Sequence, residues 1–156
     1  MKLYVSAGTC SQAPHIVARE AGIELELVPV DMKTKTYGQG LDYRDINENG
    51  YVPALEVAPG LVLTEGPAIM QYLADLKPES GLAPANGTLP RYQLQQWLNF
   101  ITSELHKGYS PLFNPATPAA YRDIAVQNLL ARHAVVDKAL AQRDFVSGDR
   151  FTLADA

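Results

Sequence analysis

Apolar positions come in short runs over the first half of the chain and recur at helical spacing over the second. Lys2-Leu-Tyr-Val5 predicts a strand, and Gln12 to Ala21 predicts a helix closed by Gly22. Leu25-Glu-Leu-Val-Pro-Val30 predicts a second strand, with Pro29 pointing to a sheet edge. Asp31 to Gly40 is polar and reads as a loop, and Leu41 to Asn47 as a short helix before the Asn49-Gly50 turn. Val52 to Val57 and Leu61 to Leu63, split by Ala58-Pro-Gly60, predict a hairpin. Thr64-Glu-Gly-Pro67 opens a helix with Pro67 in its first turn and apolar Ile69, Leu73 and Leu76 at helical spacing up to Pro78. The order βαβ then ββα predicts a small mixed sheet with helices packed on it, over residues 1–79.

Residues 80–90, with Gly81, Pro84, Asn86, Gly87 and Pro90, read as a linker, and residues 91–156 show only helical spacing. Leu94, Trp97, Leu98, Ile101 and Leu105 form one apolar stripe, while Asn99, Ser103, His106 and Lys107 fall on a polar side. Three prolines between Gly108 and Pro118 predict a bend or break. Tyr121 to Gln142 predicts a long helix with Ala125, Leu129, Val136 and Leu140 inward, followed by a turn at Phe145-Val-Ser-Gly-Asp. Thr152-Leu-Ala-Asp155 has the form of a capping box, a helix-start signal, only four residues before Ala156. The expectation is a chain truncated within its helical part.

Composition narrows the function classes. A hydrophobic content of 47% with 19% charged residues is ordinary for a globular protein, and a net charge of −4 argues against nucleic acid as a partner. The single cysteine excludes an internal disulfide and fits a reducing compartment. The N-terminal apolar run is too short for a signal peptide, and no stretch approaches the roughly 18 apolar residues of a membrane span. The expectation is a cytoplasmic protein that does not engage membranes. The three histidines have no metal-ligand spacing, so no metal is expected.

That one cysteine, Cys10, stands at a predicted strand-to-helix turn, where exposed backbone N–H groups and the helix dipole favour a nucleophilic thiolate. An equally good reading of the stretch by itself is a small buried hydrophobe.

The whole chain resembles the cytosolic glutathione transferases, and most of all their bacterial beta class. The resemblance rests on Cys10-Ser11, Tyr51-Val-Pro53, Leu63-Thr-Glu-Gly66, Gln71-Tyr-Leu-Ala-Asp75, Trp97-Leu-Asn99, Ser103-Glu-Leu-His-Lys-Gly-Tyr109 and Phe151-Thr-Leu-Ala-Asp-Ala156, taken in order. It implies a thioredoxin-like α/β N-terminal domain followed by an all-α C-terminal domain, incomplete here because family members run longer. It also implies a homodimer, with glutathione as co-substrate, no other cofactor, and hydrophobic electrophiles as second substrates.

Carried onto this sequence, the resemblance implies a cis peptide at Val52-Pro53 whose backbone pairs with the cysteinyl unit of glutathione like an added strand. Glu65 and Gly66, at a helix mouth, are expected to hold the γ-glutamyl end, through backbone N–H groups or the Glu65 side chain. For Glu65 the plainer alternative is a favourable charge at a helix start. Lys35 resembles the residue that meets the glycyl carboxylate, though a solvated surface lysine competes with that role. Asn99 is placed in the glutathione site, and Ser103 and Glu104 are candidates to reach a partner subunit's glutathione, against the plainer reading of a solvated helix face. His106 is expected to face the sulfur and Lys107 the wall of the electrophile pocket. Cys10, Ser11 and His106 are the expected catalytic set, with Ser11 stabilising a thiolate and Tyr4 packing in its strand. Two rival readings remain: a glutaredoxin-like oxidoreductase relying on Cys10, and a non-catalytic fragment that holds glutathione weakly.

Overall fold

The computed structural model describes residues 1–156, divided into two compact units, Met1–Ala83 and Pro84–Asp155. The first is a mixed sheet with helices. Its strands are β1 (Lys2–Val5), β2 (Glu26–Asp31), β3 (Thr36–Tyr37), β4 (Leu41–Asp42), β5 (Ala54–Ala58) and β6 (Leu61–Thr64), in the order β4-β3-β2-β1-β5-β6. Only β1 and β2 run parallel, joined through helix α1 (Gln12–Glu20), and all other neighbours are antiparallel. Helix α2 (Gly66–Asp75) follows the β5–β6 hairpin and packs against α1.

Side chains alternate across a strand, so the successive buried residues Leu3 and Tyr4 of β1 serve opposite faces of the sheet. Fully buried Val17, Leu55, Ile69 and Leu73 supply further core from strand and helices. Tyr4 belongs to a separate cluster with Val30, Tyr43, Val52 and Ala54, in which its ring meets Tyr37 edge-on at 5.4 Å and Tyr43 at 5.6 Å. Tyr4 is therefore a packing residue of its strand, as expected.

Two local expectations are corrected. β2 is an interior strand, because the predicted loop 31–40 contains β3, which pairs with Val30 and Asp31. Pro29 is tolerated since that ladder begins one residue beyond it. The predicted helix at 41–47 is instead the short β4 followed by one turn at Tyr43–Asp45, where the Asp42 carboxylate accepts from Arg44 N–H. In α2, Ile69 and Leu73 are buried but Leu76, at its C-terminal boundary, is exposed.

The second unit is helical: α3 (Leu89–Phe100), α4 (Ser110–Phe113) and α5 (Ala119–Leu140). The division between units falls inside the expected linker, and α3 starts at Leu89 with Thr88 as its cap, so the last two linker positions are helical. Arg91 is buried despite its charge, with its guanidinium donating to Pro84 O at 2.9 Å. On α5 only Ala125 and Leu129 are buried, whereas Leu140 is exposed. The capping box forms: Asp155 accepts from Thr152 N–H and Oγ1, both at 2.9 Å, and the Thr152 hydroxyl accepts from Ala154 N–H.

The helix expected to run unbroken to Lys107 changes form at Ile101. Ile101–His106 is a π-helical turn, in which Lys107 N–H reaches back five residues to Thr102 O, and Lys107–Tyr109 is a tight turn. Pro111 explains the tightening. It has no N–H for the Lys107 carbonyl and its ring would collide with that carbonyl, which accepts from Ser110 instead. No helix is long and apolar enough to cross a membrane.

Candidate functional site

The loop from Ser6 to Ser11 delivers Cys10 to the start of α1. Ser11 is almost wholly buried, and its hydroxyl is bound within the loop. It accepts from Ser6 N–H at 3.1 Å and lies 3.1 Å from Ser6 O and 2.8 Å from the Thr9 hydroxyl. Those partners tie Ser11 into the loop that carries Cys10.

Across from this loop, Cys10 Sγ donates to Val52 O at 3.3 Å. The Val52-Pro53 peptide is cis, and both residues are buried at the entry to β5. The segment before it is held from several sides. Tyr43 Oη and Asn47 Nδ2 both donate to Tyr51 O, at 2.9 and 2.8 Å, and Lys35 Nζ donates to Gly50 O at 2.9 Å. Burial pushes the Tyr43 phenol far above the usual tyrosine range, so it stays a proton donor. Lys35, in the left-handed region at φ 59°, also lies 5.9 Å from the centre of the Tyr51 ring. It is therefore tied to the loop that carries Val52 rather than freely solvated.

Glu65 takes φ 67° at the boundary of α2, a conformation that non-glycine residues rarely adopt and that is held only where its surroundings enforce it. Its carbonyl accepts from Ala68 and Ile69, while its side chain makes no capping bond. The carboxylate is exposed and near enough to Cys10 to act on it electrostatically. Gly66 begins the helix beside Pro53, where an added Cβ would lie at an ordinary 3.9 Å from the proline ring. Cys10, Val52, Pro53, Glu65 and Gly66 are thus brought together, with Lys35 bracing the same loop.

The electrostatics of Cys10 differ from the expectation. Although the residue is exposed, desolvation around the sulfur is the main cause pushing its thiol up; its own backbone N–H opposes this and the Glu65 carboxylate adds to it. The net direction is upward, which agrees with a sulfur placed to donate to Val52 O. The helix-start argument for a thiolate is overridden by lost hydration and a nearby negative charge.

The remaining candidates belong to the helical unit. Asn99 and Ser103 are exposed, and the Ser103 hydroxyl donates to Asn99 O at 2.9 Å. Glu104 forms an ion pair with Arg132 of α5, which sets a competitor against its expected reach to a partner subunit. His106 and Lys107 are exposed where π-helical and tight turns meet. A concavity of about 640 Å³ also opens in this unit, lined by residues including Trp97, Arg143 and Ser147 and by none of the predicted site residues.

Sequence reasoning missed Tyr43 and Asn47, which set the Tyr51 carbonyl. Their signal was weak, since an aromatic in a predicted helix and an asparagine before Asn49-Gly50 read as ordinary packing and turn residues. It also missed the strained backbone of Glu65, for which a glutamate gives no sequence cue.

Residues 7–76 match the family described as Glutathione S-transferase, N-terminal domain, and residues 100–156 match Glutathione S-transferase, C-terminal domain. The chain is 45% identical to glutathione S-transferase GstA of Escherichia coli O157:H7, over 100% of this chain and 78% of that one. Among solved structures it is similar to a ternary complex of BphK, a bacterial glutathione transferase, with 51% identity and a TM-score of 0.96 over 99% of this chain and 77% of the other. A bacterial beta-class enzyme from Sphingomonas chungbukensis superposes with a TM-score of 0.93 at 42% identity, again over 99% and 77%. With two domain matches in order and a cysteine, a cis-proline loop and a helix mouth gathered in the first of them, the chain belongs to the glutathione S-transferase family.

Proposed function

We propose that this chain is a beta-class-like transferase that conjugates reduced glutathione to small hydrophobic electrophiles and exchanges thiols with disulfides through Cys10. The observation that carries the reading is Cys10 Sγ lying 3.3 Å from Val52 O, beside a cis peptide and within the field of Glu65 at the mouth of α2. A tripeptide with a thiol at its centre suits this arrangement. Its cysteinyl backbone pairs with Val52, its γ-glutamyl carboxylate takes the free N–H groups at Gly66, and its ammonium takes the Glu65 carboxylate. Lys35 serves the glycyl carboxylate, and Asn99 contributes from the helical unit. For His106 a role toward the sulfur, and for Lys107 a role toward the electrophile, are supported by membership of the family rather than by a contact. Ser103 of a second subunit completes the γ-glutamyl end in a homodimer. The glutathione transferase family and its beta-class member among the similar structures support this reading.

The two activities use different sulfurs. In conjugation the glutathione thiolate attacks the electrophile. In exchange the Cys10 thiolate attacks the glutathionyl sulfur of a mixed disulfide and expels the other thiolate. A second glutathione thiolate then attacks the Cys10–glutathione disulfide, freeing Cys10 and forming oxidised glutathione; with one cysteine in the chain, no internal thiol performs that step. Because the Cys10 thiol is pushed up, exchange is expected to accelerate as pH rises through and beyond the ordinary thiol range near ~8.5.

Cys10→Ala separates the two. Exchange on a glutathione mixed disulfide is expected to fall at least a hundredfold, on the order of losing a covalent nucleophile, while conjugation of chlorodinitrobenzene persists. Full exchange activity in that variant would exclude the Cys10 chemistry, and no conjugation in the unmodified protein would leave the oxidoreductase reading in its place.

A further inference from the structure

The change of helical form between Ile101 and Tyr109 is pinned to α5 at three successive points. Glu104 pairs with Arg132. Gly108 comes so close to Leu129 that an added Cβ would sit 3.0 Å from its Cδ2, and Leu129 is itself buried. Tyr109 Oη and His133 Nε2 share a hydrogen bond of 2.7 Å, with their rings 6.0 Å apart and steeply inclined. Leu129, Arg132 and His133 lie three and four residues apart, on one face of α5.

A π-helical turn inserts an extra residue into the helical repeat and so rotates every side chain after it relative to those before. The directions of His106 and Lys107 are therefore not set by the α3 stripe. They depend on where the distorted segment is anchored, and every anchor just named flanks those two residues.

We propose that Tyr109 and His133 are positioning residues. Their hydrogen bond, together with the Glu104–Arg132 pair, latches the 101–109 segment to α5, fixes the direction of His106 and Lys107, and so determines which electrophiles are accepted. This rests on the reading above that Lys107 borders the electrophile. Neither Tyr109 nor His133 touches substrate in this scheme, so the latch acts more strongly on the choice of electrophile than on glutathione, most of whose proposed contacts come from the first unit.

The test compares kcat/KM for chlorodinitrobenzene and for the bulkier stilbene oxide, using the full chain. Tyr109→Phe and His133→Ala are each expected to change the ratio of the two values by about three- to tenfold, the scale of one net hydrogen bond. The KM for glutathione is expected to change by less than this ratio, and the melting temperature to fall by no more than about 4 °C. The double variant is expected to match either single one, and His133→Gln, which keeps a hydrogen-bonding group, to recover most of the original ratio. Lys107→Ala separates the two levels of the argument. If it leaves the ratio unchanged, or if neither electrophile reacts, the electrophile-wall reading fails and takes the latch with it. If Lys107→Ala shifts the ratio but Tyr109→Phe and His133→Ala do not, or if they act additively or equally on glutathione, the latch alone is overturned.

Discussion

The two units display their candidate residues in opposite ways. In the first, each one is set by backbone: a cis peptide at Val52-Pro53, a left-handed Glu65, the first residue of α2, and a cysteine on a loop knotted through Ser6, Thr9 and Ser11. All of this is seated on fully buried Leu3, Ala54 and Leu55. In the second, the candidates are exposed side chains around a change in helical form, beside an α5 that buries only Ala125 and Leu129. A site that must recognise one peptide-like molecule gains from rigid backbone donors and acceptors, since these cannot relax away. A surface that meets varied electrophiles gains from side chains that can change without unfolding the chain.

The contrast breaks most visibly at the level of stability. Leu55→Ala, in the centre of the sheet, is expected to cost about 2–5 kcal/mol of unfolding free energy, enough to distort the neighbouring Val52 loop. Leu130→Ala, on the exposed side of α5, is expected to stay within about 0.5 kcal/mol. Urea unfolding of both variants measures the difference, and a comparable loss at Leu130 would show that α5 is more deeply packed than its exposure indicates.

A smaller effect tests the electrostatics of the first unit. Glu65→Gln removes a charge that helps push the Cys10 thiol up, so the pH midpoint for alkylation of Cys10 by iodoacetamide moves down and more thiolate is present at neutral pH. The same change is expected to raise the KM for glutathione about tenfold, as a charge-assisted contact to the ammonium is lost. Midpoint and KM therefore move in opposite directions. An upward midpoint would remove Glu65 from the surroundings of the sulfur.

The smallest effect sharpens the comparison instead. Gly66 has helical backbone and room for a Cβ, so Gly66→Ser should fold unchanged and offer a hydroxyl to the γ-glutamyl carboxylate. Glutathione affinity is expected to rise by about 1 kcal/mol, read by calorimetry.

Much of this was legible in the residues. Outside residues 31–47, where β3 and β4 were missed, the strand and helix order of residues 1–79 followed from apolar spacing, and Pro67 and Gly22 marked element ends where the structure has them; the Thr152–Asp155 box forms its hydrogen bonds without a helix following it. Of the residues named for the glutathione site, Cys10, Val52, Pro53, Glu65 and Gly66 lie together, Lys35 is bonded to the same loop, and Asn99, Ser103, Glu104 and His106 belong to the helical unit. The misses share a cause. Pro29 suggested an edge because its missing donor was weighed without knowing that β3 pairs only beyond it. The thiolate was expected from one helix terminus, without the desolvation and the Glu65 charge contributed by chain segments far away in sequence.

The sequence by itself determined what is local: most of the longer strands and helices, which residues can act as nucleophile, anion donor or cation, and the order of the two domains. Only the tertiary structure decided alignment, anchoring and the direction in which the Cys10 thiol is pushed. How the Cys10 thiol is shifted, how the Tyr51 carbonyl is held, and how the segment carrying His106 and Lys107 is anchored all depend on groups distant in sequence. A local pattern records what each residue prefers, whereas a distance between remote residues exists only after the chain has closed on itself.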